Sequence, residues 1–237
     1  MKKVLIIGAQ HGNELLGEVL LTYITARHNE LLPSITYLTG NIRARKTDVR
    51  YIESDMNRSY TNGRRTYEER RATRILRYIV KEQFDVVLDL HTTTCDQPPC
   101  LIVPDITEGT RDYIRASSMT NIVLMKHPIV QTSLIGVYPR AVSIEINKNT
   151  LTDQLMEEIC QDIDRYLHGM AYGTSKKVYE ISGPLLKAEI SESDAAGLRN
   201  FEYSGLGFYP ILVGENSYKA QTNYLGFKAK AMRTFKV

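Results

Sequence analysis

The sequence predicts an α/β fold, in which a mixed, largely parallel sheet is flanked by helices and followed by a small β-rich segment. Two observations carry this reading. Over roughly the first 170 residues, apolar runs of strand length alternate with apolar residues recurring at helical spacing. After Gly173 the texture changes to short apolar runs between glycines. At 237 residues and 43% apolar content the chain can fill a real core. We divide it into an α/β domain over residues 1–172 and a β-rich C-terminal domain over residues 173–237.

Taken in order, Lys3 to Ala9 reads as a buried strand. Leu15, Leu16, Val19, Leu20, Tyr23 and Ile24 then recur at helical spacing. Ile35 to Thr39 is a second strand. An Arg-rich loop follows from Gly40 to Arg65, with turn signals at Gly40, Asn41 and Asn62-Gly63. Ala72, Ile75, Leu76, Ile79 and Val80 mark one face of a second helix, with Glu68 and Glu69 suited to its positive first turn. Phe84 to Leu90, Ile122 to Met125 and Ala141 to Ile146 read as strands. A helix over Asp153 to His168 is capped by Thr152 and stopped by Gly169. Beyond Gly173, strands are expected at Val178 to Ile181, Leu185 to Ile190, Phe208 to Val213 and Tyr224 to Met232.

Composition excludes several classes. The apolar run at the N-terminus ends at Gly8, short of a membrane span, and no signal peptide is expected. Three cysteines, Cys95, Cys100 and Cys160, have neither the number nor the spacing of a disulfide scaffold or a cysteine zinc site, so a reducing cytoplasm is expected. A net charge of +3 favours anionic small molecules but is no nucleic-acid signature.

The chemistry-bearing residues gather where strands end, which in open α/β sheets is where loops aim side chains into a shared crevice. His11 and Glu14 follow the first strand, His91 ends DVVLDL, and Glu145 lies near the end of AVSIEI. Spacing of i and i+3 puts His11 and Glu14 on one side of a helical turn, within reach of one ion. With His91 as a third ligand, two histidines and one glutamate match a catalytic zinc site that leaves a position for water. Zinc polarises a carbonyl and acidifies water, as amide hydrolysis requires. Glu145 then handles the protons. Asp89, two residues before His91 on one strand face, is placed to orient that ligand. The structural alternatives are an Asp-Leu-His that merely meets solvent and a Glu145 paired with Arg140 or Lys148. His28, His127 and His168 have no partners at ligand spacing.

The segments GAQHGNE, NIRARKTDVRYIESDMNRSY and VVLDLHTTT resemble the aspartoacylase and succinylglutamate desuccinylase family, relatives of zinc carboxypeptidases. The likeness continues in AVSIEI and YPILVGENSY. It implies a zinc carboxypeptidase-like fold, one Zn2+ on His11, Glu14 and His91, and Glu145 as general base and acid. By the same resemblance Arg50 stabilises the oxyanion, Asn57 and Arg58 bind the substrate's α-carboxylate, and Tyr218 is brought to the pocket by the C-terminal domain. Glu215 is expected to support that loop. The implied substrate is a small anionic N-acyl amino acid, such as N-acetylaspartate or N-succinylglutamate, and relatives often associate as homo-oligomers. Three departures concern specificity. Ile135 stands where acetylaspartate-cleaving members carry an arginine, with Arg140 as the nearest substitute. Ile42 replaces the proline of an N-P-x-A segment, and the glycine after the catalytic strand is missing around Asn147.

Two rivals remain at this level. A zinc carboxypeptidase would use the same residues on peptide C-termini, and an open cleft would favour it over a pocket narrowed by Tyr218. Alternatively, the arginines between positions 43 and 77 would form a phosphate-binding surface, which leaves His11, Glu14, His91 and Glu145 unexplained.

Overall fold

A computed structural model describes residues 2–61, 63–232 and 234. Asn62, half of the expected Asn62-Gly63 turn, lies outside the described residues. The strands are β1 (Val4–Gly8), β2 (Ile35–Thr39), β3 (Val86–Thr93), β4 (Cys100–Val103), β5 (Asn121–Leu124), β6 (Ala141–Asn147), β7 (Lys177–Leu186), β8 (Tyr209–Ile211) and β9 (Tyr224–Ala231). They form one nine-stranded sheet in the order β2-β1-β3-β6-β4-β5-β7-β9-β8. The first four in that order are mutually parallel, as are β4, β5 and β7. Antiparallel pairing joins β4 to β6 and both β7 and β8 to β9. The fold is therefore α/β with a mixed, largely parallel sheet.

The helices are α1 (Leu16–Arg27), α2 (Ile42–Lys46), α3 (Tyr67–Glu82), α4 (Glu108–Ala116), α5 (Leu134–Val137), α6 (Asp153–Leu167), α7 (Glu192–Gly197) and α8 (Asn216–Gln221). The two faces of the sheet carry separate apolar clusters. On one, Leu16, Leu20 and Ile24 of α1 meet Ile159 and Ile163 of α6 over Val4, Leu88 and Ile144. On the other, Ala72, Ile75 and Ile79 of α3 lie over Leu5, Ile7 and Val87. Strands buried on both faces read as continuous apolar runs, which is why VLIIG and VVLDL were legible. A Cβ on Gly17 would meet Gly8 Cα at 2.5 Å, so α1 can seat this closely on β1 only without a side chain there.

Several elements differ from expectation. Leu15 and Val19 are exposed rather than part of the α1 core face, as is Val80 of α3. The Arg-rich segment contains α2 and a 3-10 turn at Met56–Arg58. The pieces expected at Val178 and Leu185 are one strand, β7, kinked at Gly183 (φ 157°), and Lys187–Glu189 is a 3-10 turn. Residues 173–232 also contain α7 and α8, and β7 pairs with β5, so their strands continue the main sheet.

Candidate active site

Parallel pairing of β3 with β6 sets His91 directly beside Glu145 in register. β1, next to β3 on its other side, delivers the loop carrying His11 and Glu14 to the same sheet end. That loop is a turn preceding α1 rather than a helical turn, closed by Glu14 N–H donating to His11 C=O at 3.1 Å. A Cβ on Gly12 would fall 2.1 Å from the Ala44 carbonyl carbon of α2, so only glycine fits between the two segments. Gly12 N–H also donates to Arg50 C=O at 3.1 Å, fixing the arginine loop to the His11 loop.

Glu14 sits between the two imidazoles, Oε1 at 2.7 Å from His11 Nδ1 and Oε2 at 3.0 Å from His91 Nδ1. One ligand atom from each of the three buried residues lies within 4.8 Å of the others. The far nitrogens face carboxylates as well. His11 Nε2 lies 3.1 Å from Asp55 Oδ1, and His91 Nε2 lies 3.0 Å from Asp89 Oδ2. Asp89 Oδ1 accepts from Gln10 Nε2 at 2.6 Å, and Gln10 Oε1 accepts from Tyr60 O–H at 2.9 Å, while Asp89 Oδ2 is buried without a hydrogen-bond partner. Asp55 was not singled out in the sequence. Its only signal was its place at the head of DMNR, where it caps the 3-10 turn through Asn57 N–H at 2.8 Å.

These residues fit a divalent cation. Two imidazoles turn their Nδ1 atoms toward one carboxylate, and each Nε2 has a carboxylate oxygen close by, a charge arrangement that orients the rings of metal-ligating histidines. Glu14, Asp55 and Asp89 outnumber Arg50, the cation 3.6 Å from Glu14 and 3.5 Å from Asp55. Burial lowers the proton affinity of His11 and His91, and Arg50 lowers that of His11 further, yet Glu14 and Asp55 around the first, and Asp89 and Glu14 around the second, leave both raised. Glu14 and Asp55 are held well below the carboxylate range; burial opposes this, and the facing imidazoles overcome it. Metal binding would displace the protons so held.

Glu145 is in no ion pair among the described residues. Burial pushes its carboxyl up to about 8, with His91 pulling down and Glu14 and Glu215 pushing up. Arg140 lies at the other end of β6, 3.8 Å from Asp85, and so does not replace the arginine absent at Ile135. Lys148 is exposed in the turn after β6.

A cavity opens here, lined by His11, Glu14, Arg50, Asn57, Arg58, His91, Glu145 and Tyr218 among others. The structure thus brings together all eight residues that the sequence singled out. Arg58 Nη1 donates to Asn57 C=O at 2.7 Å. Tyr218, on α8, packs its ring 4.9 Å from Tyr224 and 6.0 Å from Phe227. Glu215 accepts from Thr93 Oγ1 (2.7 Å), Thr94 N–H (2.8 Å), Thr94 Oγ1 (3.0 Å) and Ser217 N–H (3.2 Å), pinning α8 to the end of β3.

Residues 1–157 match the model of the succinylglutamate desuccinylase/aspartoacylase catalytic domain. The chain belongs to this family. Aspartoacylase of Mus musculus is 29% identical over 201 residues, 71% of this chain and 64% of that protein. A probable aspartoacylase of Prochlorococcus marinus is 28% identical over 159 residues, 62% of this chain and 53% of that protein. The chain thus aligns with only about half to two thirds of these family members' lengths. A point mutant of murine aminoacylase 3 superposes with a TM-score of 0.72 at 20% identity, covering 98% of this chain and 95% of the other. The succinylglutamate desuccinylase of Chromobacterium violaceum gives 0.64 at 18% identity, covering 98% and 85%. At such identities the likeness establishes the aspartoacylase-type fold. Among the described residues no helix is long and apolar enough to cross a membrane.

Proposed function

We propose that the protein hydrolyses the amide bond of a small N-acyl amino acid, with one zinc ion held by His11, Glu14 and His91. The observation that carries this is the convergence of that triad, Glu145 and two arginines on one cavity. When bound, zinc polarises the scissile carbonyl and acidifies the attacking water. Glu145 takes the proton from that water and passes it to the leaving amine, a role suited to a carboxyl poised near neutrality. Arg50 donates to the oxygen on which negative charge develops, an interaction strongest in the transition state. Arg58, whose planar fork matches a carboxylate, and Asn57 hold the α-carboxylate. Asp55 and Asp89 keep the imidazoles in their ligating orientation. Residues 173–237 serve as the segment that shapes access, through Tyr218.

Tyr218 and Phe227 line the cavity from the C-terminal segment, which supports a small substrate over a peptide C-terminus. The test is primary-amine release from a panel of N-acyl amino acids by zinc-loaded and chelator-stripped protein. Zinc-dependent release is expected, and release from no member of the panel overturns the proposal.

A further inference from the structure

Seven apolar side chains from six different parts of the chain meet at the candidate cavity. They are Ile102 of β4, Met125 just after β5, Ile129 and Val130 of the 3-10 turn at Pro128–Thr132, Ile135 of α5, Leu212 just after β8 and Phe227 of β9. Arg50 and Arg58 are, among the described residues, the only arginine or lysine in the lining.

Both arginines are already engaged, Arg50 with Glu14 and Asp55 and Arg58 with the Asn57 carbonyl. In the proposed reaction one faces the developing oxyanion and the other the α-carboxylate. A second substrate carboxylate would find neither. Of the lining hydroxyls, Ser133 donates to Val130 C=O at 2.7 Å, Thr93 to Glu215 at 2.7 Å and Ser217 to Glu215 at 3.1 Å, and the others, of Thr92, Ser143 and Tyr218, carry no charge to offset that of a carboxylate. Glu14, Glu145 and Glu215 line the same cavity and add repulsion. A carboxylate pressed against the apolar wall would lose its hydration without a partner, whereas a hydrocarbon group gains by leaving water.

We propose that the substrate is a monocarboxylic N-acyl amino acid carrying a bulky apolar group, aliphatic or aromatic, rather than a dicarboxylic one. The inference rests on the amidohydrolase reading above and narrows it. The apolar group belongs either to the amino acid or to the acyl chain, and the test separates these.

The zinc-loaded protein is given N-acetylleucine, N-acetylphenylalanine, N-hexanoylglycine, N-acetylaspartate and N-succinylglutamate, and kcat/KM is measured for each. At least one of the first three is expected to exceed both dicarboxylates by about ten-fold or more, in line with what hydrophobic pockets discriminate. Preference for the acetylamino acids assigns the apolar group to the amino acid, and preference for hexanoylglycine assigns it to the acyl chain. Faster cleavage of acetylaspartate or succinylglutamate overturns this inference and leaves the amidohydrolase reading intact; no cleavage of any substrate overturns both. A second readout needs no turnover. Glu145→Gln protein should gain thermal stability from the apolar substrates and not from acetylaspartate, and the reverse ranking defeats the proposal. Ile135→Arg should move the kcat/KM ratio at least ten-fold toward acetylaspartate. If that variant does not fold, Ile129→Arg, at a less buried position, makes the same test.

Discussion

Glu145 and the two arginines stand in one cavity and differ in what they do. Glu145→Gln keeps the shape of the side chain and removes its ability to carry a proton. It should retain one zinc per chain by metal analysis while kcat falls roughly a hundred- to ten-thousand-fold. His91→Ala removes a ligand and should lose both metal and turnover, so normal activity in either variant would contradict the assigned roles. Arg50→Ala should lower kcat by roughly a hundred- to a thousand-fold, because the charge it meets develops only in the transition state. Arg58→Ala should mainly raise KM, because the α-carboxylate is charged throughout. The opposite split in steady-state kinetics would exchange the two roles. Residue identity and place at the strand ends made His11, Glu14, His91 and Glu145 legible in the sequence as candidates, and the structure brings them to one cavity. Asp55 was not legible, because its position beside His11 depends on the turn at Met56–Arg58 and not on sequence spacing.

At the scale of elements, the position of Arg50 depends on a residue that looked like ordinary helix-terminal charge. Glu69 lies in the first turn of α3, as the sequence suggested, and there closes a capping box with Thr66. Its neighbour Glu68 is fully buried. It accepts from Asn41 Nδ2 at 3.1 Å and from the backbone N–H groups of Ile52 (2.8 Å), Glu53 (3.3 Å) and Ser54 (3.2 Å). One carboxylate thereby ties α3 to the loop that begins at Arg50. Glu68→Ala strands several donors and should cost about 3 kcal/mol in denaturant unfolding. It should also lower kcat more than a loss of folded protein explains, and an unchanged kcat per folded molecule would show that the loop holds its shape unaided. The strands and helices found from sequence are those with long periodic or wholly apolar runs, such as β1, β3, β6, α3 and α6. β4 and α4 were missed. CLIV is a four-residue strand with no alternation to read, and α4 spans only nine residues. β4 is placed by tertiary pairing, since it lies between β6 and β5, antiparallel to the first and parallel to the second, and sets Cys100 opposite Glu145.

Across the whole molecule, two buried charge clusters make stability depend on conditions. In the first, Lys176 is fully buried, with its ammonium donating to Ser117 C=O, and burial pulls its pKa from 10.5 down to about 8. Below pH 8 the lysine is charged in folded and unfolded chains alike, and the folded state bears the full penalty. Between about 8 and 10.5 the unfolded chain holds more protons on this group, so its contribution to stability rises with pH. The difference in unfolding free energy between wild type and Lys176→Met should therefore shift in favour of wild type across that window, and a flat difference would refute it. The second cluster is the candidate metal centre, where Glu14, Asp55 and Asp89 face one guanidinium and two imidazoles. A ligand that binds the folded state alone stabilises it by about 2.7 kcal/mol at a hundred times its Kd. For a chain of this size that corresponds to a rise in Tm of about 5 to 10 °C. Zinc should produce that rise, a chelator should reverse it, and Glu14→Ala should abolish it while Glu145→Gln preserves it. A rise that survives Glu14→Ala would place the ion elsewhere, because among the described residues no other touches both imidazole Nδ1 atoms of the site.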